Sequence, residues 1–237
     1  MLKSLLLYFI ILFSAHGKTI YQVSLGSPKE WVGISKLLYA EIAKEMKDTT
    51  FEISKIPSKR VIKELIKGTY DVEVGWHKDN VNSKELVFTN TPIVELNFAV
   101  ITNNPEKFKN IGQRGLTGLT LGIPRGAHYI HHKIPVDVRY EVNRLEQAFD
   151  LLDIGRIDGV VTTIQNFKNI MKKSRNKKYK IINELGYMIK LYPMLAKRNI
   201  ILRDSIEVGL QRMRKNGAYK RIKKKTGIQL LEKDLQN

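Results

Sequence analysis

Apolar residues follow strand-like and helix-like spacings in alternation along the first half of the chain. The pattern predicts strands at three places: residues 19–25, 51–56 and 71–76. Apolar residues recur at helical spacing over residues 32–46 and again after Pro57, where the second helix is stopped by Gly68. Strands that alternate with helices favour βαβ units and a mostly parallel sheet.

The second half of the chain repeats this alternation. Strand-like segments lie at residues 119–123, 136–142 and 158–161. Between the last two, a helix is predicted with Asn143 as its N-cap and Gly155 at its end. A capping-box pattern, Asp204 followed by Glu207, predicts the start of a C-terminal helix that breaks near Gly217 and resumes beyond it.

Two helix-to-strand junctions share the same order of residues. Leucine, glycine, aspartate and valine recur in register, with Gly68 and Asp71 in the first junction and Gly155 and Asp158 in the second. A glycine permits the left-handed turn that ends a helix, and an aspartate can hold a tight turn through its own backbone. We interpret the recurrence as two similar lobes, although any αβ turn can carry this chemistry.

Two long apolar segments, residues 91–101 and 186–196, are predicted to cross between the lobes. Two extended crossings form a hinge, and closure around a ligand is a known use of such a hinge. We therefore expect lobe I to comprise residues 18–95 and 190–237, and lobe II to comprise residues 96–189.

The first residues have the pattern of a secretory signal peptide. Lys3 gives a positively charged start, residues 5–13 are apolar apart from the Tyr8 hydroxyl, and small residues occupy positions 15 and 17. A membrane anchor is the alternative, but this run is shorter than the roughly 20 residues that a bilayer requires. We expect cleavage near Gly17.

Composition narrows the class of protein. The chain has no cysteine, so it folds without disulfides and lacks the usual acceptor for an N-terminal lipid. A freely diffusing exported protein indicates a Gram-negative periplasm. The formal net charge of +18 suits anionic partners, but export and the absence of interleaved aromatic residues argue against nucleic acid. The basic runs at residues 168–180 and 212–225 predict solvated faces, or a docking surface for an acidic partner.

Several short motifs resemble one known family. They are Pro57-Ser58-Lys59-Arg60, Gly68-Thr69-Tyr70-Asp71, Phe88-Thr89-Asn90-Thr91-Pro92, residues 116–123, Gly155-Arg156-Ile157-Asp158 and residues 216–222. Their order and spacing resemble the family 3 periplasmic solute-binding proteins. The resemblance implies a type II α/β fold with two lobes, each a mixed, mostly parallel sheet flanked by helices, joined by a two-strand hinge. It also implies closure on a small solute, often an amino acid, that passes to an inner-membrane ABC permease.

One departure from the family pattern affects the expected ligand. The family's amino-acid binders carry an arginine before the segment that begins here at Phe88, where it grips the α-carboxylate. Asn82 falls near that position, and Lys84 is the only nearby cation. Because lysine is a point charge and lacks the bidentate fork of arginine, this departure speaks against standard amino-acid recognition.

Four candidate ligand-binding residues belong to lobe I: Trp31, Arg60, Trp76 and His77. Arg60 lies in the first turn of a predicted helix, where backbone N–H groups and a bidentate guanidinium favour anions. Trp76 and His77 end a strand at the crevice edge of an open sheet. Trp76 can stack on a ligand, as can Trp31. The alternatives are a surface arginine and tryptophans that belong to the core.

Four more candidates belong to lobe II: Arg125, Tyr129, Thr162 and Thr163. The loop after the strand at residues 119–123 leads toward a helix, so its backbone amides and Arg125 can hold a carboxylate. Thr162 and Thr163 end a strand and can offer hydroxyl groups to the cleft. An ordinary loop and helix capping are the alternatives.

No arrangement for catalysis or metal binding stands out. His128, His131 and His132 match no zinc signature, and the chain has no thiol nucleophile. We expect no cofactor, no metal and no enzymatic activity, and a monomer that closes on a small polar, anionic or zwitterionic solute. Two alternatives stay open. A sensory protein would dock on a membrane receptor, and a dehydratase-like enzyme would hold a buried carboxylate or histidine of shifted pKa in the cleft.

Export predicts a mature chain that starts near residue 18. The charged start, the apolar run and the small residues at positions 15 and 17 direct secretion and cleavage. N-terminal sequencing of the protein recovered from the periplasm identifies the first residue. A periplasmic protein that still begins at Met1 would contradict cleavage.

Overall fold

A computed structural model describes the chain over residues 19–26, 31–111, 115–125, 130, 133–173, 178–228 and 230–231. Several sequence predictions fall outside these residues: the signal peptide at residues 1–17, Tyr129, and His128, His131 and His132. Among the described residues, no helix has both the length and the apolar content to cross a bilayer.

Strands and helices alternate in the first half of the chain, as predicted. They are β1 (Thr19–Leu25), α1 (Trp31–Ala43), β2 (Thr49–Lys55), α2 (Ser58–Lys67), β3 (Val72–Trp76), β4 (Leu86–Phe88) and β5 (Val94–Thr102). Gly68 ends α2 in the left-handed region with φ of 93°, a conformation that disfavours any residue with a Cβ.

The second half of the chain continues the alternation. Its elements are β6 (Leu121–Pro124), β7 (Arg139–Val142), α3 (Leu145–Asp153), β8 (Gly159–Thr163), α4 (Ile164–Lys173), β9 (Lys180–Ala196), α5 (Ile200–Lys215) and α6 (Ala218–Thr226). The break between α5 and α6 falls at Asn216 and Gly217, as predicted.

Two predicted helix starts were wrong. Arg144, not Asn143, immediately precedes α3, because the Gln147 side chain reaches back and accepts the Asn143 backbone N–H at 3.2 Å. The capping box at Asp204 is also absent, since α5 already begins at Ile200 and carries Asp204 within it. In the same half, residues 136–138 form a short 3₁₀ turn, so that β7 is shorter than the predicted strand.

The strands form one continuous path in the order β2-β1-β3-β9-β5-β8-β6-β7, and β4 also pairs with β9. Parallel pairing joins β1 to β2 and β3, and joins β6 to β7 and β8. The order β2-β1-β3 in one half is therefore matched by β7-β6-β8 in the other. The remaining pairs, which involve β5 and β9, are antiparallel.

Two strands, β5 and β9, connect the two halves. β9 has 17 residues and pairs with β5 up to Leu191. From Tyr192 onward its partners are β3 and β4. One strand thus runs from the lobe II sheet into the lobe I sheet, which is the predicted two-strand hinge. The predicted lobe boundaries, between residues 95 and 96 and between residues 189 and 190, fall inside these strands and stay a prediction.

The two helix-to-strand junctions are built alike. The glycine of each junction lies in the left-handed region, with φ of 93° and 72°. The carboxylate of Asp71 accepts the backbone N–H of Gln22 at 2.7 Å, and that of Asp158 accepts the backbone N–H of Thr120, also at 2.7 Å. Each aspartate therefore fixes the entry of the neighbouring parallel strand. The predicted role of each aspartate in its own turn stays a prediction.

Glu207 of α5 holds the segment that leads into β5. Its Oε2 accepts the backbone N–H of Asn90 at 2.7 Å and that of Thr91 at 3.0 Å. Its Oε1 accepts the Thr91 hydroxyl. This residue, predicted to cap its own helix, instead satisfies backbone donors on a segment more than one hundred positions away.

The C-terminal helices also contact the start of β5. A guanidinium nitrogen of Arg214 donates to the Pro92 carbonyl at 3.1 Å and lies 3.3 Å from the Glu95 carboxylate. The Tyr219 hydroxyl donates to the Ile93 carbonyl at 3.0 Å. Helices α5 and α6 thus fix one of the two crossing strands at the point where it leaves lobe I.

Part of the predicted basic face is structural. Arg212 pairs with Glu45, and Arg221 pairs with Glu41 at 3.1 Å, so both arginines tie the C-terminal helices to α1. The lysines of the basic run at residues 212–225 are exposed: Lys215, Lys220, Lys223, Lys224 and Lys225. A docking surface for an acidic partner stays a prediction.

We expect Glu207→Gln to lower the free energy of unfolding by about 1–3 kcal/mol near neutral pH. Burial acts to raise the pKa of Glu207, but hydrogen bonds from Thr91 and Gln211 outweigh it and hold the pKa below its ordinary value. A lowered pKa stabilises the fold above the unfolded pKa, and this contribution is lost as pH falls through the folded pKa. Urea unfolding of the wild type and of Glu207→Gln, from acid to neutral pH, measures the difference between their free energies of unfolding.

The exposed Glu184 offers a matched control. Glu184→Gln also removes one negative charge, but among the described residues the Glu184 carboxylate does not accept a set of hydrogen bonds like those that Glu207 accepts. This variant should unfold like the wild type at each pH. A loss for Glu207→Gln that is the same at acid and neutral pH would show that packing, and not the charge, is responsible.

Candidate functional site

The carboxyl ends of the parallel strands in both lobes lie at the hinge. In lobe I, Trp76 at the end of β3 pairs with Tyr192, next to the point where β9 leaves β5. A Cβ added to Gly75 would lie 3.2 Å from both Ile93 and Leu191, so β3 packs directly on the crossing strands.

The same end of the lobe II sheet also faces the hinge. Thr163, the last residue of β8, pairs with Phe98 of β5, whereas Val160 pairs with Ile101, which is farther from the crossing. Both sets of carboxyl ends therefore open toward the space between the lobes. In open α/β sheets, ligands bind outside these ends, at the point where the strand order reverses.

The strand order reverses once in each lobe. The chain passes from β1 to β2 on one side and returns to β3 on the other, and from β6 to β7 before it returns to β8. The two crevices, β1–β3 and β6–β8, thus lie at the hinge end of their sheets. Together they define the candidate site.

Trp76 borders the β1–β3 crevice. A Cβ added to Gly26, directly after β1, would lie 3.1 Å from the Trp76 ring and 3.0 Å from Val61. The ring is half-buried against the apolar cluster between α2 and the sheet. Its indole N–H is buried and has no hydrogen-bond partner among the described residues. Trp76 therefore anchors its strand and keeps one donor without a partner.

The other predicted residues of lobe I occupy the ends of helices and strands. Trp31 is the first residue of α1 and is half-buried against the main core. Arg60 lies exposed in the first turn of α2, as predicted, and its guanidinium forms no hydrogen bond or ion pair with a described residue. The imidazole of His77 lies 3.9 Å from the Asp79 carboxylate. Their contact with a ligand stays a prediction.

Arg125 lies beside β7. Its guanidinium is 3.4 Å from the Glu141 carboxylate and about two thirds of the side chain is exposed. Because β7 and β8 flank β6 on opposite sides, this ion pair holds the arginine on the far side of β6 from the β6–β8 crevice. The predicted role of Arg125 in the cleft is not supported by this placement and stays a prediction.

The two threonines at the end of β8 are buried. The Thr163 hydroxyl accepts the backbone N–H of Asn166 at 3.1 Å, so it caps α4, which was the alternative interpretation. Thr162 is 2% exposed and pairs with Ala99 inside the sheet. Thr163 stands at the crevice, and Thr162 lies one position behind it.

Glu73 is a buried acid at the crevice of lobe I that the sequence did not reveal. One carboxyl oxygen lies 2.5 Å from Ser24 Oγ, and the other accepts the backbone N–H of Gly26 at 3.0 Å. Burial raises its pKa to about 8, although hydrogen bonds, including one from the Gly75 backbone, act to lower it. Glu73 thus joins the end of β1 to the start of β3, and its raised pKa favours the protonated form at neutral pH.

Lys78 is the second residue that the sequence did not reveal. Its ammonium group lies 3.9 Å from the centre of the Tyr192 ring and 6.0 Å from that of Phe88. The predicted position of a cation, at residues 82–84, carries the exposed Asn82 and Lys84. Lys78 is only two positions beyond Trp76, so the end of the strand was the signal that could have identified it.

Within the described ranges, no group of three or more histidine, aspartate or glutamate side chains is placed to hold a metal ion. The histidines at positions 128, 131 and 132 lie outside those ranges. The expectation of no metal stays a prediction.

Comparison with family models gives one match. The model for the bacterial extracellular solute-binding proteins, family 3, matches residues 20–227. The chain belongs to this family. Apart from Thr19, the first residue of β1, the match covers every strand and helix described above, and it confirms the resemblance that the short sequence motifs indicated. No curated protein matches this family 3 protein in sequence.

Solved structures show the same fold. An ancestral arginine-binding protein bound to glutamine is 22% identical, with a TM-score of 0.64 over 89% of this chain and 98% of that one. The probable amino-acid ABC transporter extracellular-binding protein ytmK of Bacillus subtilis is 18% identical, with a TM-score of 0.68 over 87% and 97%. A histidine kinase sensor domain with similarity to periplasmic binding proteins is 18% identical, with a TM-score of 0.67 over 91% and 98%. The two-lobed type II fold is confirmed.

We expect Glu73→Gln to stabilise the family 3 protein at alkaline pH. Folded Glu73 keeps its proton up to about pH 8, whereas the unfolded residue loses it near its ordinary pKa. Wild-type stability therefore falls as pH rises between these two values. Glutamine copies the protonated acid, so the variant should be more stable by on the order of 5 kcal/mol near pH 9 and similar to wild type near pH 4.

Urea unfolding of both proteins across this pH range measures the effect. Glu52→Gln, on the exposed side of β2, provides the control for loss of a charge elsewhere in the same sheet. A variant whose stability relative to the wild type falls as pH rises would indicate that Glu73 is ionised in the folded protein.

Proposed function

We propose that this protein binds a small polar solute, anionic or zwitterionic, between its two lobes in the periplasm. The bound form then delivers the solute to an inner-membrane ABC permease. One observation carries the proposal: both strand-order reversals lie at the hinge end of their sheets. A rotation about β5 and β9 would bring the two crevices together around one solute.

The chemistry of the lobe I crevice supports an anionic group on the solute. The first turn of α2 adjoins β1, because a Cβ on Gly26 would lie 3.4 Å from Ser58 Cα. Backbone N–H groups at a helix start favour anions, and Arg60 adds a guanidinium to this turn. The neutral Glu73 adds no negative charge beside them.

Amino acids are the first solutes to test. The ancestral arginine-binding protein binds glutamine in its solved structure, and ytmK is described as a probable amino-acid transporter component. Amino acids carry the carboxylate that the crevice favours. Sensing is the second candidate, because a histidine kinase sensor domain shares the fold. Transport and sensing differ in the membrane protein that recognises the closed form, which is a permease in the first case and a receptor in the second.

A dehydratase-like activity receives less support. It would require a carboxyl or histidine of shifted pKa that can reach the solute. Glu73 has the shifted pKa, but it is 0% exposed and its oxygens already contact Ser24 and Gly26. Its contacts are those of a residue that positions the strand ends. We therefore propose binding and not catalysis.

We expect solute binding to close the protein. Calorimetry with L-glutamate, L-glutamine, L-arginine and L-histidine identifies the best solute, and small-angle scattering should then show a smaller radius of gyration at saturation. Arg60→Ala should lower the affinity for that solute by roughly tenfold or more, because a charge-assisted hydrogen bond contributes about 1.5–3 kcal/mol.

Lys59→Ala is the matched control, since Lys59 is the exposed neighbour of Arg60, and its affinity should equal that of the wild type. An unchanged radius of gyration at saturation would contradict closure. Preference for a neutral sugar over all four amino acids would contradict the proposed charge of the solute.

A further inference from the structure

Helix α6 carries lysines on the sides that do not pack on the protein. Its buried residues are Ala218, Tyr219 and Ile222. Its lysines are all exposed, and together they are called the lysine face: Lys220, Lys223, Lys224 and Lys225. Because residues four apart are neighbours on a helix, Lys220 and Lys224 stand side by side, opposite the buried side of α6, and the other two lysines flank them.

The acids of the neighbouring helix are already paired with arginines. Arg221 of α6 pairs with Glu41 of α1 at 3.1 Å, and Arg212 of α5 pairs with Glu45, just beyond the end of α1. The sequence between positions 208 and 231 contains no acidic residue. The acids that hold the C-terminal helices against α1 are therefore occupied by the guanidinium groups.

The stability of α6 does not account for the lysine face. The positive end of the helix dipole makes a cation in the first turn unfavourable, yet Lys220 lies in that turn, which holds no acid. Lys220 and Lys224 also repel each other, since like charges four residues apart destabilise a helix. Neither lysine forms an ion pair with a described residue. This concentration of charge is unfavourable for the isolated fold and favourable toward an anionic partner.

The chemistry of the lysine face suits a lipid surface better than a protein. Protein interfaces are enriched in aromatic residues and arginine and depleted in lysine. Helix α6, which is described in full, exposes no large apolar residue. Its one arginine, Arg221, is engaged by Glu41 and by the Asn216 carbonyl at 2.8 Å. A bilayer of anionic headgroups requires no anchor residue, because it attracts any cation close to its surface.

We propose that the lysine face of α6 binds the surface of a bilayer that contains anionic phospholipid, with phosphatidylglycerol as the test lipid. The ammonium groups interact with the headgroup phosphates, while the apolar residues of α6 remain in the core of the protein. The attraction is electrostatic, so salt weakens it. Each lysine near such a surface contributes roughly fivefold in affinity. This surface includes no residue of the two crevices, and the proposal is independent of the solute.

Helix α2 provides a matched control on the opposite face of the lobe I sheet. Successive side chains of a strand point to opposite faces. In β9, Met194 packs in the cluster of α2, and Leu195 packs in the cluster that includes α1, α5 and α6. Lys63 and Lys67 of α2 are exposed and lie four residues apart, the same spacing as the pair on α6. Their replacement removes an equal charge from the other side of the sheet.

Co-sedimentation with vesicles tests the proposal. The chain from residue 18 onward is used, because the apolar run at residues 5–13 would bind lipid by itself. At about 0.1 M salt the wild type should bind vesicles of equimolar phosphatidylglycerol and phosphatidylcholine but not phosphatidylcholine alone. Near 1 M salt, where the Debye length is roughly 3 Å, it should be released.

Two double variants locate the surface. Lys220→Gln with Lys224→Gln should lower the affinity for the anionic vesicles roughly twenty- to thirtyfold. Lys63→Gln with Lys67→Gln should lower it by about twofold at most, because screening limits the effect of distant charges. Urea unfolding checks that the α6 variant is folded, and the loss of like-charge repulsion should leave it at least as stable as the wild type.

Three results would overturn the proposal. Equal losses for the two double variants would show that net charge alone attracts the protein. Release of the wild type by sn-glycerol 3-phosphate, at the same concentration of phosphate as the vesicles, would indicate a site for one phosphate group and not a surface. Failure of the wild type to bind the anionic vesicles would exclude the bilayer, and binding of polyglutamate that requires Lys220 and Lys224 would then assign the lysine face to an acidic protein.

Discussion

The antiparallel pairing of β5 with β9 is the interaction on which the rest of the structure depends. It carries the chain out of one sheet and back from the other, and β9 changes partners from β5 to β3 between Leu191 and Tyr192. Because β3 and β8 both run antiparallel to a crossing strand, their carboxyl ends are directed to the hinge. The location of the crevices is therefore a consequence of strand direction, and it would hold for any side chains that preserved the pairing.

The charged residues divide into those that build the fold and those that stay in water. Arginines make the long-range contacts. Arg198 donates to the carbonyls of Leu65 and Ile66 at the end of α2, and Arg214 contacts Pro92 and Glu95 at the start of β5. The guanidinium group suits such contacts, since its planar fork reaches two acceptors with little loss of freedom. Most lysines of the C-terminal helices remain exposed. The high net charge is thus concentrated in a residue type that contributes little to packing.

The sequence was sufficient for most of the strands and helices and for the two crossing strands, because their apolar patterns are local, but it did not predict β4 or α4. It was also sufficient for the glycine and aspartate of the two junctions, although the aspartates act on a neighbouring strand. It did not reveal Glu73, which alternation assigned to a polar face. β3 is central and buried on both sides, so that face contains Ser24 and not water. Glu207 was predicted to cap its own helix, because a local pattern cannot reveal partners that are distant in sequence. Those partners are Asn90 and Thr91.

Glu73, the acid that the sequence missed at the lobe I crevice, affects the electrostatics of that crevice. Burial raises the pKa of Glu73 to about 8, so that this acid between β1 and β3 is mostly protonated at neutral pH and contributes little negative charge. Burial lowers the pKa of Lys78, whose ammonium group lies over the Tyr192 ring, although the charge of Glu207 acts to raise it. An ionised Glu73 would have served as an internal counter-charge for the crevice and would have competed with a carboxylate for its donors. Because a neutral Glu73 adds no negative charge beside the start of α2, the backbone N–H groups of that turn and the exposed Arg60 can interact with an anionic group on the solute.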